Sequence, residues 1–262
     1  MKFFKILVLS SILFIQTALP SPKKVVSISP AITEIIFYTG NEKYMIGNTI
    51  YCTIPKEAKK IPKIGGIINP NIEKIVALKP EMIITTTITP NNKTKLMEKL
   101  GISVKTYQIE TIEDIEKVTE SVANIFERRE KKFGEKFRKS YKKTIKKLSK
   151  CLKGKKTLIV FSSNPIYTAG NSTFLGEIIN DAEGINIAGN GKYKTISAEY
   201  LLSRNPDFVI LATMEGKATG KLFKELGIKV IKVNSTYLLK PGPYIIKGIK
   251  QLRKAVCIEE QF

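Results

Sequence analysis

The sequence contains an internal repeat at an offset of 126 residues. Residues 71–86 read NIEKIVALKPEMIITT, and residues 197–212 read SAEYLLSRNPDFVILA. The matched positions are Glu73 and Glu199, Pro80 and Pro206, Glu81 and Asp207, and the Leu-Gly-Ile triplets at 100–102 and 226–228. Because the register holds without an insertion, the repeat predicts two similar lobes, and two similar lobes predict a cleft between them.

Each half alternates short apolar runs with segments of helical periodicity. In the first half, residues 25–29, 82–84 and 102–107 are typical of buried strands, and helices are predicted between them. In the second half the predicted strands are 157–161, 208–211 and 229–233, followed by a closing helix at 241–255. Strands that alternate with helices indicate parallel βα units with right-handed crossovers. The predicted fold class is therefore α/β, with two similar lobes built from parallel sheets.

The segment between the halves, residues 112–152, has a helix-forming composition without proline, and Gly134 is its only weak point. We expect one long, nearly uninterrupted α-helix that bridges the lobes and limits their relative movement. The predicted organisation is a signal peptide at 1–22, an N-terminal lobe at 23–110, a helical connector at 111–153 and a C-terminal lobe at 154–262.

The N-terminus combines Lys2 and Lys5 with a short apolar run and then small residues. This run is shorter than the roughly 20 apolar residues that span a bilayer, and the pattern is typical of a secretory signal peptide. A retained membrane anchor is the alternative. We expect a protein located in a periplasm or outside the cell. No cysteine precedes Cys52, so a lipid anchor on an N-terminal cysteine is not expected.

Composition narrows the classes of function. The net charge of +21 raises the question of nucleic acid, but the lysines are spread along the chain with one dense helical region and no nucleic-acid motif, so we expect no such partner. Histidine and tryptophan are absent, which excludes His-dependent catalysis and His-ligated metals. We expect no bound cofactor and no resident metal. Of the three cysteines, Cys151 and Cys257 could pair, and Cys52 would then be free.

Residues 23–40 read KKVVSISPAITEIIFYTG, and residues 63–84 read KIGGIINPNIEKIVALKPEMII. These two stretches resemble the substrate-binding proteins of ABC importers for cobalamin, haem and ferric siderophores. The first is similar to that family's opening strand and its Ser-Pro-x-x-Thr-Glu helix start, and the second is similar to its Leu-Lys-Pro-acid stretch. The resemblance covers the chain from about residue 23 onward, and it implies two α/β lobes bridged by a long helix.

The resemblance also implies roles for the repeated glutamates. In cobalamin-binding members, one surface glutamate on each lobe docks onto the permease, and these positions match Glu73 and Glu199. The alternative is that each carboxylate only stabilises the start of a helix, since the helix dipole favours an acid there by about 0.3–1 kcal/mol.

The chain departs from the cobalamin-binding members at two positions. Ile67 stands near their loop tryptophan, and Asn180 stands near a cysteine of their second lobe, so Cys257 lacks that partner. Tyr51, in contrast, matches a tyrosine that stacks on their ligand. The resemblance therefore leaves open whether the ligand is a ferric siderophore, a corrinoid or haem.

Ligands of open α/β lobes bind beyond the carboxyl ends of the parallel strands. Tyrosines and small hydroxyl residues follow the predicted strands, and such residues would stack on a flat ligand and orient it. The predicted ligand-binding residues are Ser29, Pro30, Tyr51, Gly66, Thr86, Tyr167, Tyr193, Thr213 and Tyr237.

The leading interpretation is an extracytoplasmic binding protein that captures a small-molecule metal chelate and delivers it to an ABC importer permease in the inner membrane. We expect it to act as a monomer. The rival classes are an enzyme that uses the same cleft and an interaction protein that binds anionic surfaces. No nucleophile–base pair, phosphate-binding glycine loop or metal cluster is apparent in the sequence, so an enzyme is not expected.

Overall fold

The computed structural model describes residues 22–128, 131–213 and 220–259, so the predicted signal peptide lies outside the described residues except for Pro22. The N-terminal lobe is a four-stranded, all-parallel sheet in the order β2-β1-β3-β4. Its strands are β1 (Val25–Ser27), β2 (Met45–Asn48), β3 (Met82–Thr86) and β4 (Ser103–Tyr107). Its helices are α1 (Pro30–Tyr38), α2 (Ile72–Ala77) and α3 (Asn91–Lys99).

The C-terminal lobe is a five-stranded mixed sheet in the order β11-β10-β6-β7-β9, beside a two-stranded β5-β8 pair. Its strands are β5 (Lys156–Thr157), β6 (Ile159–Ser163), β7 (Ile166–Ala169), β8 (Ile185–Asn186), β9 (Tyr193–Ile196), β10 (Val209–Thr213) and β11 (Val230–Asn234). Its helices are α6 (Phe174–Asp181), α7 (Ala198–Ser203), α8 (Lys221–Glu225), α9 (Ser235–Leu238) and α10 (Ile245–Glu259).

The two-lobed α/β fold is as predicted, but the second half does not repeat the parallel arrangement throughout. Strands β6, β10 and β11 are parallel, but β7 pairs antiparallel with both β6 and β9. The Asn164-Pro165 turn folds β7 back onto β6 as a hairpin. Asparagine and proline favour tight turns, and here the turn replaces a crossover helix.

The repeat corresponds to equivalent caps on two equivalent helices. The side chain of Asn71 accepts a hydrogen bond from the backbone N–H of Lys74 at the start of α2, at 2.8 Å. The hydroxyl of Ser197 accepts one from the N–H of Tyr200 at the start of α7, at 3.1 Å. Such N-caps stabilise a helix by about 1 kcal/mol. The repeat therefore specifies how each of these short helices begins.

The repeated acids have a structural role of the same kind in both lobes. The carboxylate of Glu81 accepts a hydrogen bond from the backbone N–H of Lys23, at 2.8 Å. The carboxylate of Asp207 accepts one from the N–H of Lys156, at 2.6 Å. Each acid precedes a strand of its lobe and holds the chain at the start of another strand, β1 in the first lobe and β5 in the second, which explains why both copies of the repeat carry an acid here.

The helical connector contains two helices, α4 (Ile112–Ile125) and α5 (Phe133–Leu152), so the nearly uninterrupted helix that the sequence predicts is divided in two. The chain leaves helical geometry at Glu127 (φ 57°) and Lys132 (φ 44°), which are left-handed positions that ordinary helices do not contain. The break comes before Gly134 and not at it. The long helix is therefore α5, which has 20 residues.

Gly134 is required by the packing of α5 on α4. A Cβ atom at this position would lie 2.7 Å from the backbone oxygen of Glu116, which is closer than real side chains approach. The N–H of Gly134 also donates to the carboxylate of Glu120, at 2.9 Å. The glycine that weakens the helix in isolation thus allows the two helices to approach closely.

Helix α4 contributes side chains to the hydrophobic cores of both lobes. Ile112 and Ile115, in its first half, pack in the core of the C-terminal lobe. Val118 and Val122, one turn later, pack with the isoleucines of α1 in the N-terminal lobe. The lobes are therefore joined by buried apolar surface as well as by the chain.

The structure contains the disulfide that the sequence left open. Cys151 in α5 bonds to Cys257 in α10, with Cα atoms 5.3 Å apart, and so joins residues that are 106 positions apart. Cys52 is a free thiol, and it is buried. Cys257 thus takes its partner from the connector.

We predict a defined thiol count. Native protein should expose no reactive thiol, denatured protein should expose only Cys52, and denatured, reduced protein should expose all three cysteines. Replacing Cys151 and Cys257 together by serine should lower the free energy of unfolding by roughly 2–4 kcal/mol. Colorimetric thiol titration and denaturant melts measure both effects, and three reactive thiols without reductant would contradict the disulfide.

Glu34 of α1 is buried at the contact between the lobes, with 1% of its surface exposed. Neither of its carboxyl oxygens has a side-chain hydrogen-bond partner. Gly242, in the segment that links α9 to α10, lies against it, because a Cβ atom there would be 2.5 Å from the Glu34 Oε2 atom. Burial raises the pKa of Glu34 to about 8, and the attraction of the Lys240 ammonium opposes this rise only in part.

We predict that Glu34 lowers stability as pH rises. Below pH 4.5 the carboxyl is protonated in both states, but between 4.5 and about 8 only the folded state holds the proton. Glu34→Gln should therefore gain stability over the wild type across this window, by at most about 1.4 kcal/mol per pH unit.

Urea melts of both proteins from pH 4 to pH 9 measure this difference. The matched control is Glu98→Gln, which removes an exposed carboxyl group on α3 and should show no comparable change with pH. A Glu34→Gln curve parallel to that of the wild type would contradict the assignment.

Candidate functional site

A cavity of about 470 Å³ opens at the carboxyl edge of the N-terminal sheet. Residues that follow each of its four strands line this cavity, as expected for an open parallel sheet. From the C-terminal half, the segment after α9 closes one side. The lining residues are Ser29, Pro30, Ala31, Ile50, Tyr51, Thr53, Ile67, Thr86, Thr87, Ile88, Ile109, Leu239, Lys240 and Pro241.

The cavity wall is mostly apolar and open to solvent. Ile50, Tyr51 and Ile88 are 53%, 55% and 60% exposed, although side chains of this kind are normally buried. The hydroxyl oxygen of Thr86 lies in the wall, buried and without a hydrogen-bond partner. An exposed apolar patch with an unsatisfied polar group is typical of a ligand-binding surface.

A second cavity of about 260 Å³ adjoins the first and lies between the lobes. The two share Thr87, Ile88, Ile109, Leu239 and Pro241. The second cavity adds Glu110 from the N-terminal half and Ser172, Thr173, Phe174, Lys192 and Tyr193 from the C-terminal half. Lys192 donates to the carboxylate of Glu110 at 2.7 Å, so an ion pair crosses between the lobes at this cavity.

Three aromatic rings of the C-terminal sheet form a cluster that reaches the second cavity. Phe161 lies 5.8 Å from both Tyr167 and Tyr193, and the two tyrosine rings stack at 6.3 Å between centroids. Burial raises the pKa of Tyr193 to about 12, so its phenol is neutral near neutral pH. The cluster offers a partly exposed aromatic surface at the second cavity, whereas Tyr51 lines the first.

The structure brings most of the predicted ligand-binding residues together. Ser29, Pro30, Tyr51 and Thr86 line the first cavity, and a Cβ atom on Gly66 would contact the Tyr51 ring at 3.6 Å. Tyr193 lines the second cavity, and Tyr167 stacks on it.

Two of the predicted ligand-binding residues are not among the described side chains that line the two cavities. Tyr237 lies in α9, where the Lys247 amine sits 5.4 Å from the centre of its ring, and it lines neither cavity. Thr213 ends β10 and pairs in register with Asn234, and its side chain lies outside the described part of the chain.

The sequence reasoning missed three groups of lining residues. Ser172, Thr173 and Phe174 follow β7, a strand that the sequence did not predict. Ile109 and Glu110 follow β4, and the rule about strand ends would have found them had it been applied to that strand. Leu239, Lys240 and Pro241 follow a helix and not a strand, so the rule offers no way to find them.

Glu73 and Glu199 are both exposed in the first turns of α2 and α7, as the repeat predicted. Among the described residues, no cation lies within ion-pair distance of either carboxylate. A hydrogen bond from the Ser197 hydroxyl lowers the pKa of Glu199, so this carboxylate is ionised near neutral pH.

The described residues, 22–128, 131–213 and 220–259, contain neither a cluster of metal-ligating side chains nor a helix suited to crossing a membrane. They contain no group of three or more histidine, cysteine or acidic side chains that could hold a metal ion. None of their helices is both long enough and apolar enough to cross a membrane.

Two curated relatives align with most of the chain. An uncharacterized ABC transporter substrate-binding lipoprotein of Bacillus subtilis, YvrC, is 29% identical over 254 residues, which cover 90% of this chain and 80% of the relative. The vitamin B12-binding protein of Salmonella typhimurium is 27% identical over 245 residues, which cover 89% and 90%.

Solved structures share the fold at low identity. The periplasmic vitamin B12 binding protein BtuF of Vibrio cholerae superposes with a TM-score of 0.77 at 20% identity, covering 92% of this chain and 99% of that one. A periplasmic heme binding protein of Pseudomonas aeruginosa gives 0.77 at 21%, covering 90% and 92%. The siderophore binding protein BauB, bound to ferric iron and acinetobactin, gives 0.71 at 16%, covering 90% and 93%.

The family model described as periplasmic binding protein matches residues 25–237, which is most of the chain. The two-lobed fold and the cavity at the strand ends agree with this match. The chain belongs to the periplasmic binding protein family.

Proposed function

We propose that the protein is the extracytoplasmic substrate-binding protein of an ABC importer, and that it captures a ferric siderophore or a cobalamin-like corrinoid between its lobes. The observation that carries this proposal is the continuous pair of cavities, about 470 Å³ and 260 Å³, lined from both lobes. One end presents Tyr51 and exposed isoleucines, and the other presents the tyrosine pair.

The dimensions and the chemistry of the cleft fit a bulky, partly flat chelate. Aromatic rings at the two ends of the cleft can stack on planar parts of a ligand, and the unpartnered Thr86 hydroxyl can hydrogen-bond to its edge. The relatives that bind vitamin B12 and the neighbours that bind haem or a ferric siderophore support this class of ligand. In this proposal the protein binds and releases its ligand without chemical change.

Haem is the second candidate, and the exposure of Tyr51 is the observation that favours it. Its ring is more than half exposed at the cavity, so its phenol oxygen can reach a ligand. In a chain without histidine, a tyrosine oxygen is one of the side-chain groups left that can ligate haem iron, beside the sulfur of cysteine or methionine.

The delivery step in this proposal uses Glu73 and Glu199. These carboxylates project from matching helices of the two lobes and have no cationic partner among the described residues. Basic residues of a permease in the inner membrane would pair with them, one on each lobe. The proposed protein is a monomer, exported by the signal peptide at residues 1–22.

Binding measurements test the ligand class directly. Calorimetric titration of the purified protein with cyanocobalamin, haem and a set of ferric siderophores should show saturable binding of at least one. Absorbance spectra before and after incubation should show the bound chelate unchanged. If none of these chelates binds, the proposed function is wrong, and if one is chemically altered, the protein is an enzyme.

We predict that the Tyr51 ring stacks on the ligand. Tyr51→Ala should weaken binding by about 1–3 kcal/mol, the scale of one large buried side chain, and Tyr51→Phe should cost much less. Titration of the identified chelate measures both variants. If the phenylalanine variant binds as poorly as the alanine variant, the oxygen of Tyr51 is the essential group, which favours ligation of iron in haem.

We predict that replacing Glu73 and Glu199 together by alanine impairs transport and leaves ligand affinity nearly unchanged, because exposed charges at the rim act on partner engagement. Uptake by cells that express the cognate importer, together with calorimetry of the purified variant, measures both. The control is Glu98→Ala, another exposed acid in a helix of the first lobe. Normal uptake with the double variant would contradict the docking role, and the two glutamates would then only stabilise the starts of their helices.

A further inference from the structure

The positive and negative side chains that line the cleft do not all pair with one another. Lys240 is the one charged residue among those that line the larger cavity, counting only the described part of the chain. In the smaller cavity, Lys192 and Glu110 are charged, but they neutralise one another in an ion pair at 2.7 Å. The described wall of the cleft therefore carries one cation that no neighbouring wall residue compensates.

The contacts of Lys240 confirm that its ammonium is not paired. Its Nζ atom donates to the hydroxyl of Thr53, across the lobe boundary, at 3.2 Å. No carboxylate of the described residues lies within 4 Å of it. Burial lowers the pKa of Lys240, although the negative form of Glu34 would raise it. One neutral hydroxyl is a weak partner for a half-buried cation.

The nearest acid, Glu34, lies behind the cavity wall. It is almost fully buried, it does not line the cavity, and neither carboxyl oxygen accepts a side-chain hydrogen bond. Since burial raises the pKa of Glu34 to about 8, this carboxyl is mostly protonated near neutral pH. The positive charge of Lys240 is therefore available to a ligand in the cleft.

The surroundings of Lys240 strengthen its interaction with an anion. Leu239, Pro241, Ile50 and Ile109 line the same cavity, and a ligand that fills it displaces water. Coulomb attraction is several times stronger at such an interface than in bulk water, and a desolvated cation without a counter-ion is unfavourable. A neutral ligand would seal the cation away from water, whereas an anionic ligand would pair with it.

We infer that Lys240 selects metal chelates that carry an anionic group, such as a catecholate or carboxylate oxygen, over neutral chelates of similar size. The inference rests on the proposed function and specifies the class of ligand. In the loaded protein, the anionic oxygen would replace the Thr53 hydroxyl as the partner of the ammonium.

The experiment must separate this local effect from the field of the whole molecule, because a net charge of +21 attracts any anion. Two ferric complexes serve as probes, an anionic tris-catecholate and an electrically neutral tris-hydroxamate, with neutral cyanocobalamin as a third. Dissociation constants are measured by equilibrium dialysis at physiological ionic strength, where long-range fields are screened.

We expect the wild type to bind the anionic complex more tightly than the neutral one. Lys240→Met should weaken binding of the anionic complex by roughly tenfold or more, which is 1.4 kcal/mol or more. It should change binding of the neutral complexes less than about twofold. Lys240→Arg should retain the preference for the anion. The matched control, Lys143→Met, removes the same charge from an exposed position of α5 and should leave all constants nearly unchanged.

Three results would overturn the inference. Equal losses for anionic and neutral complexes in Lys240→Met, with an unchanged circular dichroism melt, would give Lys240 a general packing role. Equal losses in Lys143→Met and Lys240→Met would show that the net charge alone attracts the anion. Tight binding of cyanocobalamin or of the tris-hydroxamate, with no preference for the tris-catecholate, would leave the proposed function intact and reject the role of Lys240. If no chelate binds at all, the proposed function fails as well.

Discussion

The packing of α4 against two cores determines how the lobes face each other. Ile112 and Ile115 are buried with the C-terminal lobe, and Val118 and Val122 are buried with the N-terminal lobe, on one continuous helix. A helix rises 1.5 Å per residue, so the two core positions have a fixed separation. The cleft exists because this helix and its crossing with α5 hold two sheets with their cavity-lining edges adjacent.

The two walls of the cleft are chemically different because the two sheets are built differently. The N-terminal wall comes from the ends of four parallel strands, where loops carry apolar and hydroxyl side chains. In the C-terminal lobe, the β6–β7 hairpin and β9 place three aromatic rings on one face of an antiparallel section. The segment at 239–241 brings a single lysine between them. A ligand that contacted the N-terminal wall, the aromatic rings and the lysine together would be partly flat and at least partly polar.

The repeat predicted the structure best where interactions between residues close in sequence determine how a helix begins or ends. Asn71 and Ser197 begin their helices through their own side chains, and Gly101 and Gly227 end theirs in left-handed geometry, so the same residues have the same outcome in both lobes. The break between α4 and α5 was not predictable in this way, because its residues suit a helix and the reversal depends on close packing around Gly134. Lys240 was missed for a similar reason, since only the folded arrangement brings the segment after α9 to the edge of the other sheet.

Helices α2 and α7 have six residues each, too few to be stable alone in water. Their caps and the strands that follow them hold them in place, so the backbone positions of Glu73 and Glu199 are set by the two sheets and by α4. The distance between the backbone positions of Glu73 and Glu199 is therefore fixed by the fold. A surface that contacts both must match one spacing, and a mismatch cannot be absorbed by local bending of either helix.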